Sequence, residues 1–296
     1  MQRDYVKSPL NYIGNKFRII NQIHQYFPKD IDVMVDLFCG GCDVTINTDA
    51  KKHYANDINY LVVDIFREFQ KYSIDDALAY IDMTIAKWGL TDTDGDSYNK
   101  FREYYNLTKN PIDLFILLCY SFNHQVRFNS AHEFNMPFGY HKGSFNSNIR
   151  YNLVTTLGRL KDVEFSTKPF QEFDFGILSS GDFLYADPPY LIACGTYNDG
   201  KRGFTGWGEK EETDLYLLLS DIDKKGINFA LSNVSEHKGQ TNDILLKWVS
   251  DNGYYLYDID FNYDNCSYHG KNTDKPTREV LITNYQTTIP TTFSLF

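Results

Sequence analysis

Short apolar runs alternate with amphipathic segments along most of this chain. Continuous apolar runs bounded by polar or glycine residues are typical of strands that are covered on both faces of a sheet. The runs predict about seven strands, at Asp32–Phe38, His53–Asp57, Val163–Ser166, Phe183–Ala186, Ile227–Ser232, Tyr254–Ile259 and Glu279–Asn284. Helical spacing of apolar residues predicts the intervening helices, at Asn15–Tyr26, Leu61–Tyr72, Thr213–Lys225 and Asn242–Asp251. This alternation predicts an α/β fold with a mostly parallel sheet between layers of helices.

The stretch 73–159 interrupts the alternation of strands and helices. Helical patterns cover Ile74–Trp88 and Pro111–Ser121, and a polar, aromatic, glycine-bearing region follows at Phe122–Ile149. We therefore predict a helical insert at 73–159 within an α/β domain formed by residues 1–72 and 160–296. The glycines between Gly200 and Gly208 predict a mobile loop.

The most informative local motif is Asp187-Pro188-Pro189-Tyr190, directly after the apolar run 182–186. Each proline fixes φ near −65° and forces the preceding residue into an extended conformation. The Asp187 carboxylate and the Pro188 carbonyl are then two acceptors held side by side, with the Tyr190 ring next to them. This arrangement fits the two N–H donors and the flat face of an exocyclic amine. The alternative is a proline-rich turn that only ends a strand.

A second motif lies at the end of the first strand, where Asp36 leads through Phe38 into Gly40 and Gly41. Ligands of doubly wound sheets bind beyond the carboxyl ends of the strands, and glycine lets the backbone approach them closely. Asp57 ends the second strand and can accept hydrogen bonds from a ribose diol. The spacing is neither G-x-G-x-x-G nor that of a phosphate-binding loop, which favours a smaller adenosine ligand. An ordinary glycine turn and a helix-capping aspartate are the alternatives.

Charge and cysteine content limit the choice of function. The net charge of −10 opposes nucleic-acid binding, although basic residues exceed acidic ones within 2–29 and 123–161. Five cysteines are too few and too scattered for a disulfide framework, and Cys39 and Cys42 have no second ligand pair for zinc. No metal is expected, although metal or redox use of this pair stays open. Neither a membrane span nor a secretory signal is apparent, which predicts a cytoplasmic protein that does not bind membranes.

Six segments in this order resemble the Dam-type DNA adenine-N6 methyltransferases (D12 class, alpha group), which bind S-adenosylmethionine. They are spread over nearly the whole chain, at residues 9–16 (PLNYIGNK), 36–41 (DLFCGG), 56–59 (NDIN), 127–139 (RFNSAHEFNMPFG), 187–190 (DPPY) and 278–285 (REVLITNY). The resemblance implies a Rossmann-like methyltransferase sheet. It also implies a catalytic domain at 1–72 and 160–296 and a target-recognition function for the insert 73–159.

The resemblance also assigns roles to individual residues. The implied catalytic residues are Asp187, Pro188 and Tyr190. The implied cofactor-binding residues are Tyr12, Gly14, Lys16, Asp36, Phe38, Gly40, Asp57, Ile58, Phe170 and Asp187. The implied DNA-binding residues are Asn123, Gln125, Arg127, Asn129, Pro137 and Tyr140. Two positions depart from the family pattern, since Cys42 replaces a second glycine and Pro169 replaces an acid before Phe170.

The implied reaction moves a methyl group from S-adenosylmethionine to N6 of an adenine flipped out of duplex DNA, with S-adenosylhomocysteine as product. A palindrome containing all or part of GATC is the implied target. A cognate restriction endonuclease could act on the same site without forming a stable complex, in a bacterial or phage-infected cell. Methylation of RNA or protein, and a catalytically silent DNA-binding homologue, are the alternatives.

Overall fold

A mostly parallel sheet forms the centre of the molecule, as the sequence predicts. The computed structural model describes residues 4–193, 206–259 and 277–287. Its strands are β1 Val33–Asp36, β2 Lys52–Asn56, β3 Glu164–Ser166, β4 Phe183–Ala186, β5 Asn228–His237, β6 Gln240–Thr241, β7 Tyr255–Ile259 and β8 Arg278–Thr283. The main strands lie in the order β3-β2-β1-β4-β5-β8-β7, and β6 pairs only with β5. β8 runs antiparallel to both β5 and β7.

The sheet reverses its direction of winding at β1. This strand pairs in parallel with β2 on one side and with β4 on the other, so that Asp36 lies opposite Ala55 and Tyr185. The carboxyl ends of β1, β2 and β4 therefore meet at one edge of the sheet. Such a reversal is where open α/β sheets bind their ligands. Asp57 and Asp187, which follow β2 and β4, are placed at this edge.

The two faces of the sheet bury different sets of side chains, because alternate residues of a strand point to opposite sides. On one face, Val35 and Leu184 belong to a cluster that includes the helix Glu209–Lys224 and the helix Asp243–Asn252. On the other face, Met34 belongs to a cluster with aromatic residues and the short helix near residue 20. β4 is buried over its whole length. Burial on both faces explains why its sequence is a continuous apolar run.

The helices follow the predicted alternation, with additions. They are α1 Ile20–Ile23, α2 Tyr60–Phe69, α3 Ile74–Trp88, α4 Gly95–Thr108, α5 Pro111–Tyr120, α6 Ser147–Leu160, α7 Glu209–Lys224 and α8 Asp243–Asn252. Local chemistry sets several ends. Ser73 accepts a hydrogen bond from the Asp76 amide to cap α3, and Gly89 ends it with φ of 62°. Asn110 caps α5, with Pro111 at its first position.

Three helix predictions were wrong or incomplete. The helix predicted at Asn15–Tyr26 begins only at Ile20, since the preceding segment is irregular and carries Gly14 with φ of 80°. The helices α4 and α6 were not predicted, because both are rich in polar residues. Their buried faces are narrow stripes, such as Tyr98, Phe101 and Tyr105 in α4.

The insert packs onto the sheet through one continuous cluster of apolar side chains. Ala55 of β2 belongs to the same cluster as buried residues of α2, α5 and α6. α5 is buried along its whole length, which is typical of a central helix surrounded by others. The segment after α5 is held by two isolated bridges, Ser121 to Phe138 and Phe128 to Phe134. Across 4–193, 206–259 and 277–287, no helix has the length and hydropathy that crossing a bilayer requires.

Candidate active site

A cavity of about 270 Å³ opens at the edge of the sheet where β1, β2 and β4 end. Its volume is close to the lower end of the range of small-molecule sites, about 300–1,000 Å³. The structure brings every predicted catalytic and cofactor-binding residue to the wall of this cavity. They are Tyr12, Gly14, Lys16, Asp36, Phe38, Gly40, Asp57, Ile58, Phe170, Asp187, Pro188 and Tyr190.

The turn after β1 is fixed by close packing and by a carboxylate. Gly40 has φ of 46°, and a Cβ atom there would lie 2.8 Å from Cδ1 of Tyr12. Asp57 Oδ2 accepts a hydrogen bond from the Gly40 amide at 2.8 Å, and Asp57 Oδ1 accepts one from the Asn59 amide at 2.8 Å. Asp57, the residue predicted to bind the ribose, thus also ties the ends of β1 and β2 together.

Cys42 replaces the second glycine of the family pattern, and its backbone conformation is one that suits glycine. Its φ is 66°, in the left-handed region that glycine adopts without cost. The side chain is fully buried. Burial raises the pKa of the Cys42 thiol, and a hydrogen bond between the thiols together with burial raises the pKa of Cys39. A thiol with a raised pKa is a poor nucleophile.

Asp36 is a buried carboxyl group on the cavity wall with one oxygen still available. Its Oδ2 accepts a hydrogen bond from Thr45 Oγ1 at 2.6 Å. Its Oδ1 has no hydrogen-bond partner among the described residues. Burial raises the pKa of Asp36 to about 7, with smaller contributions from the negative charges of Asp187 and Asp57. An unsatisfied acceptor of this kind is costly unless a ligand supplies the donor.

Asp187 has both carboxylate oxygens engaged within the protein. Lys16 Nζ lies 2.7 Å from Oδ2, and the Tyr190 hydroxyl donates a hydrogen bond to Oδ1 at 2.9 Å. Burial raises the pKa of Asp187, although Lys16 and Tyr190 both act in the opposite direction. Burial and the negative charge of Asp187 raise the pKa of Tyr190 far above its usual value, so the hydroxyl stays a donor.

Lys16 makes contacts of three kinds at this point. Besides the Asp187 carboxylate, its ammonium donates a hydrogen bond to the Gly14 carbonyl at 3.0 Å and lies 5.2 Å from the centre of the Tyr190 ring. The side chain is buried. A carboxylate, a carbonyl and an aromatic face are the groups expected to bind the substrate amine. Two of the contacts of Lys16, with the Asp187 carboxylate and the Tyr190 ring, are those predicted for the target amine, whereas its carbonyl partner is Gly14 and not Pro188.

One wall of the cavity is aromatic. The rings of Phe38, Phe170 and Trp207 lie with centroids 5.7–5.8 Å apart in each pairing. Phe38 and Phe170 were predicted, but Trp207 was not, because it falls in the segment Gly200–Gly208 that was interpreted as a mobile loop. Residues 200–205 of that segment lie outside the described residues. The signal that could have identified Trp207 is a tryptophan close to the start of a helix.

Asn56 is another residue that the sequence reasoning did not single out. Its amide nitrogen donates hydrogen bonds to the carbonyls of Leu37 and Lys168, at 3.1 and 3.0 Å. Its Oδ1 accepts hydrogen bonds from the Ser166 hydroxyl and the Lys168 amide. This buried side-chain amide therefore makes all of its hydrogen bonds. It joins the ends of β1, β2 and β3 and so fixes the position of the backbone at Asp57.

The predicted DNA-binding residues lie in the loops of the insert, away from the cavity wall. Asn123, Arg127, Pro137 and Tyr140 are exposed, and Gln125 and Asn129 are partly buried. The Asn129 side chain is held in a local turn by Glu133 and Ala131. A hydrogen bond from Asn11 Nδ2 to the Asn123 carbonyl, 2.9 Å long, connects this region with the segment that carries Tyr12.

Arg127 is held by a neighbour rather than extended into solvent alone. Its Nε donates a hydrogen bond to Asn135 Oδ1 at 3.0 Å, and Nη2 donates one to the Asn135 carbonyl at 3.2 Å. The Asn135 amide in turn donates to the Arg127 carbonyl. Not every basic residue of this region is available: Arg159 is bound to the Ile46 carbonyl and to Asn47 Oδ1.

Comparison with known proteins decides the family. The sequence model of the D12 class N6 adenine-specific DNA methyltransferases matches residues 12–264, most of the chain. This chain belongs to the D12 class of N6 adenine-specific DNA methyltransferases. The matched range contains all the predicted catalytic and cofactor-binding residues.

Similar curated proteins include modification enzymes and adenine methylases. The D12 chain is 45% identical over 287 residues to the modification methylase StsI of Streptococcus sanguinis, covering 96% of this chain and 44% of that protein. It is 44% identical over 283 residues to the type II methyltransferase M.FokI of Planomicrobium okeanokoites, covering 95% of this chain and 43% of that protein. It is also 27% identical over 237 residues to a DNA adenine methylase of Haemophilus influenzae, covering 76% of this chain and 78% of that protein. The chain spans less than half the length of the first two.

Membership of the D12 class implies S-adenosylmethionine as methyl donor, and the cavity fits it. Oδ1 of buried Asp36 has no hydrogen-bond partner in the described part of the chain, and such an acceptor suits an ammonium group, for example that of the donor's methionine part. The aromatic wall of Phe38 and Phe170 suits a purine. Within the described residues, no three His, Cys, Asp or Glu side chains are grouped as metal ligands would be.

Proposed function

We propose that this chain transfers a methyl group from S-adenosylmethionine to N6 of an adenine flipped out of duplex DNA. One observation carries the proposal. The Asp187 carboxylate stands on the wall of the cavity that also holds every residue predicted to bind the donor. A D12 class chain with this arrangement retains the parts that amino-group methylation requires.

The donor supplies an electrophilic methyl group on a positively charged sulfur. On the protein side, Asp36 Oδ1 would accept a hydrogen bond from the donor's ammonium, and Phe38 and Phe170 would cover its purine. Ile58 lies on the cavity wall next to Asp57. We propose that the ribose is bound at these two residues, since a carboxylate can accept from both hydroxyls. The Asp57 carboxylate already holds the Gly40 turn, which favours a site whose shape is set before the donor enters.

Adenine N6 is a weak nucleophile, because its lone pair is delocalised into the ring. We propose that Asp187 and the Pro188 carbonyl accept hydrogen bonds from its two N–H groups, which concentrates electron density on nitrogen and stabilises the positive charge that develops there. Positioning the amine against the methyl group supplies a further part of the acceleration. Lys16 and Tyr190 already contact one Asp187 oxygen each, so the amine shares an oxygen with one of them or displaces it when it binds.

The target base has to leave the DNA stack to reach Asp187, at a cost of a few kcal/mol. Tyr190 would offset part of this cost, since stacking of a base on an aromatic ring contributes roughly 1–3 kcal/mol. We propose that the insert 73–159 reads the sequence around the target. Arg127 is the main candidate for a guanine contact, with Asn123, Gln125, Asn129, Pro137 and Tyr140 next to it.

Mapping of N6-methyladenine in DNA treated with the purified protein and S-adenosylmethionine tests the activity and the target together. We expect methylated adenine at one short sequence, with GATC or part of it as the prediction for that site. The Asp187→Ala variant should abolish methylation while its affinity for S-adenosylhomocysteine falls much less. Wild-type turnover in Asp187→Ala would refute the role of this carboxylate.

The alternative substrates are tested in the same assay. Labelled methyl transfer to RNA or protein, with none to DNA, would replace duplex DNA as substrate. Donor binding without transfer to any DNA would favour a catalytically silent homologue. Two similar proteins are named as a modification methylase and a type II methyltransferase, and on that basis we propose that a restriction endonuclease acts on the same site. We propose, in line with such a pairing, that the enzyme acts in the cytoplasm of a bacterial or phage-infected cell.

A further inference from the structure

Glu212 is a fully buried carboxylate that the reaction proposed above does not use. It lies in the first turns of α7 and is 0% exposed. Four side chains donate hydrogen bonds to it, namely Trp207 Nε1, the Tyr216 hydroxyl, and the Asn233 and Asn242 amides. None of these donors is a cation. A buried charge is expensive unless its oxygens are satisfied, so this network is a specific structure and not a chance contact.

The four donors come from different parts of the fold. Tyr216 is on α7 itself, Asn233 is on β5, and Asn242 caps α8. All three bond to Oε1, at 3.0 Å from Asn233 and 3.1 Å from Asn242. Oε1 is thereby anchored to the centre of the sheet. Oε2 is the oxygen that accepts from the Trp207 indole, so the carboxylate links the core to a residue on the cavity wall.

Trp207 lies just outside α7, which begins at Glu209. Its ring is partly buried and meets Phe38 at 5.8 Å and Phe170 at 5.7 Å between centroids. The indole N–H bond to Glu212 fixes the direction in which the ring faces.

We infer that Trp207 is a binding residue for the flat purine of the methyl donor, and that Glu212 is the positioning residue that holds the indole against it. The inference rests on the proposed function, because it requires the donor's adenine to lie at the aromatic wall. Trp207, Phe38 and Phe170 all line the cavity, and the largest flat surface among them is the indole. Stacking on that surface gives affinity for any adenosine ligand of this shape.

Loss of the Glu212 carboxylate should affect donor binding and not methyl transfer. Glu212 touches neither Asp187 nor the predicted amine site, so its loss should weaken donor binding while the rate at saturating donor stays close to wild type. A residue needed only for folding would lower the amount of folded protein without separating these two quantities. The separation of KM for the donor from kcat is therefore the signature of a positioning residue.

Binding of S-adenosylhomocysteine, followed by titration calorimetry and by tryptophan fluorescence, tests the inference without turnover. We expect the ligand to change the fluorescence of the wild-type protein, and Trp207→Phe to remove most of that change. The same variant keeps an aromatic ring but loses the indole N–H and part of the stacking surface. We expect its affinity to fall on the order of tenfold.

The role of Glu212 is tested by Glu212→Gln and by the double variant Trp207→Phe/Glu212→Gln. Glutamine keeps the shape but turns an N–H₂ group towards donors, which disturbs the indole. We expect Glu212→Gln to weaken binding about as much as Trp207→Phe does, and the double variant to be little worse than either. Glu209→Gln is the matched control, because Glu209 is an exposed acid in the same turn of α7. Its affinity should equal that of the wild type.

The outcomes separate this inference from the proposed function. No binding of S-adenosylhomocysteine to the wild-type protein would overturn both. Wild-type binding with unchanged affinity and fluorescence change in Trp207→Phe would overturn only the role of Trp207. Additive losses in the double variant would show that Glu212 does not act through the indole. If Glu212→Gln fails to fold, Trp207→Phe still decides whether the indole binds the ligand.

Discussion

Lys16 Nζ lies 2.7 Å from Asp187 Oδ2, and both side chains are largely buried. The two residues are far apart in the sequence and come from different segments of the cavity wall. The ammonium balances the charge of the carboxylate proposed to bind the target amine. The protein itself therefore supplies the counter-charge of this buried carboxylate.

Removing the buried ammonium of Lys16 should destabilise the fold more than removing an exposed ammonium. Lys16→Met leaves Asp187 buried without its cation, which should raise the pKa of Asp187 further and destabilise the fold by on the order of 3 kcal/mol. Denaturant unfolding measures this loss. Lys51→Met is the control, because Lys51 and Asp32 form an exposed pair at 2.6 Å. Equal effects of the two substitutions would contradict the importance of the buried pair.

The ring and the hydroxyl of Tyr190 should have separable effects. Tyr190→Phe keeps the stacking face and removes the donor to Asp187 Oδ1, so base capture should persist. Tyr190→Ala removes the face as well, and KM for DNA should rise about tenfold or more. Steady-state kinetics on DNA and fluorescence of an adenine analogue at the target position measure the two effects. Unchanged kinetics in Tyr190→Ala would remove the stacking role.

The pKa of about 7 at Asp36 predicts opposite effects of pH on stability and on donor binding. The folded protein binds a proton here up to pH of about 7, whereas the unfolded chain releases it near the ordinary aspartate pKa of 3.8. Because the folded state binds more protons between these values, stability should fall as pH rises through that window. Donor affinity should rise as pH approaches and passes 7, since only the carboxylate attracts an ammonium strongly.

Asp36→Asn tests the assignment. The variant should flatten both pH dependences and should bind S-adenosylhomocysteine more weakly at pH above 7. Asp43→Asn is the comparison, because burial raises the pKa of Asp43 to about 6 while its Oδ1 already accepts from the Ser8 amide. A donor-affinity profile that is the same in Asp36→Asn and the wild type would assign the titration to another group.

An added methyl group should be tolerated at one glycine and not at another. Gly40→Ala would place Cβ 2.8 Å from the Tyr12 ring at a φ of 46°, so Tyr12 has to move and donor affinity should fall. Gly158→Ala, within α6, meets no atom within 4 Å and should stabilise the protein by about 1 kcal/mol. Thermal unfolding and calorimetric binding measure both. Full donor affinity in Gly40→Ala would show that Tyr12 is not part of the site.

Arg127 should determine which DNA is methylated more than how tightly DNA binds. Arg127→Ala is expected to relax discrimination at one base pair, a loss of about 1–3 kcal/mol, and Asn135→Ala should do so in part because Asn135 holds the guanidinium. Lys142→Ala, an exposed position in the same region, should weaken binding to all sequences alike. Methylation of a library of randomised sites reads out the three variants. A wild-type preference in Arg127→Ala would exclude it as a base reader.

The sequence by itself determined the sheet and the identity of most cavity residues. Buried strands of a parallel sheet are continuous apolar runs, and the motifs at Asp36, Asp57 and Asp187 mark where those strands end. Since parallel strands with right-handed connections place these ends at one edge, the local pattern suffices to gather them. The polar helices α4 and α6 were not predicted from the sequence, because their buried stripes are narrow and interrupted.

Only the tertiary structure decided what these residues do to one another. The contact of Lys16 with Asp187 joins segments that are distant along the chain. The link from Glu212 to Trp207 lies beside a glycine-rich stretch. Burial leaves one oxygen of Asp36 without a hydrogen-bond partner among the described residues. No periodicity encodes such pairings, because they depend on how whole elements pack. Charge, burial and hydrogen bonding at the site are properties of that packing, and they set the pKa values and the orientation of the rings.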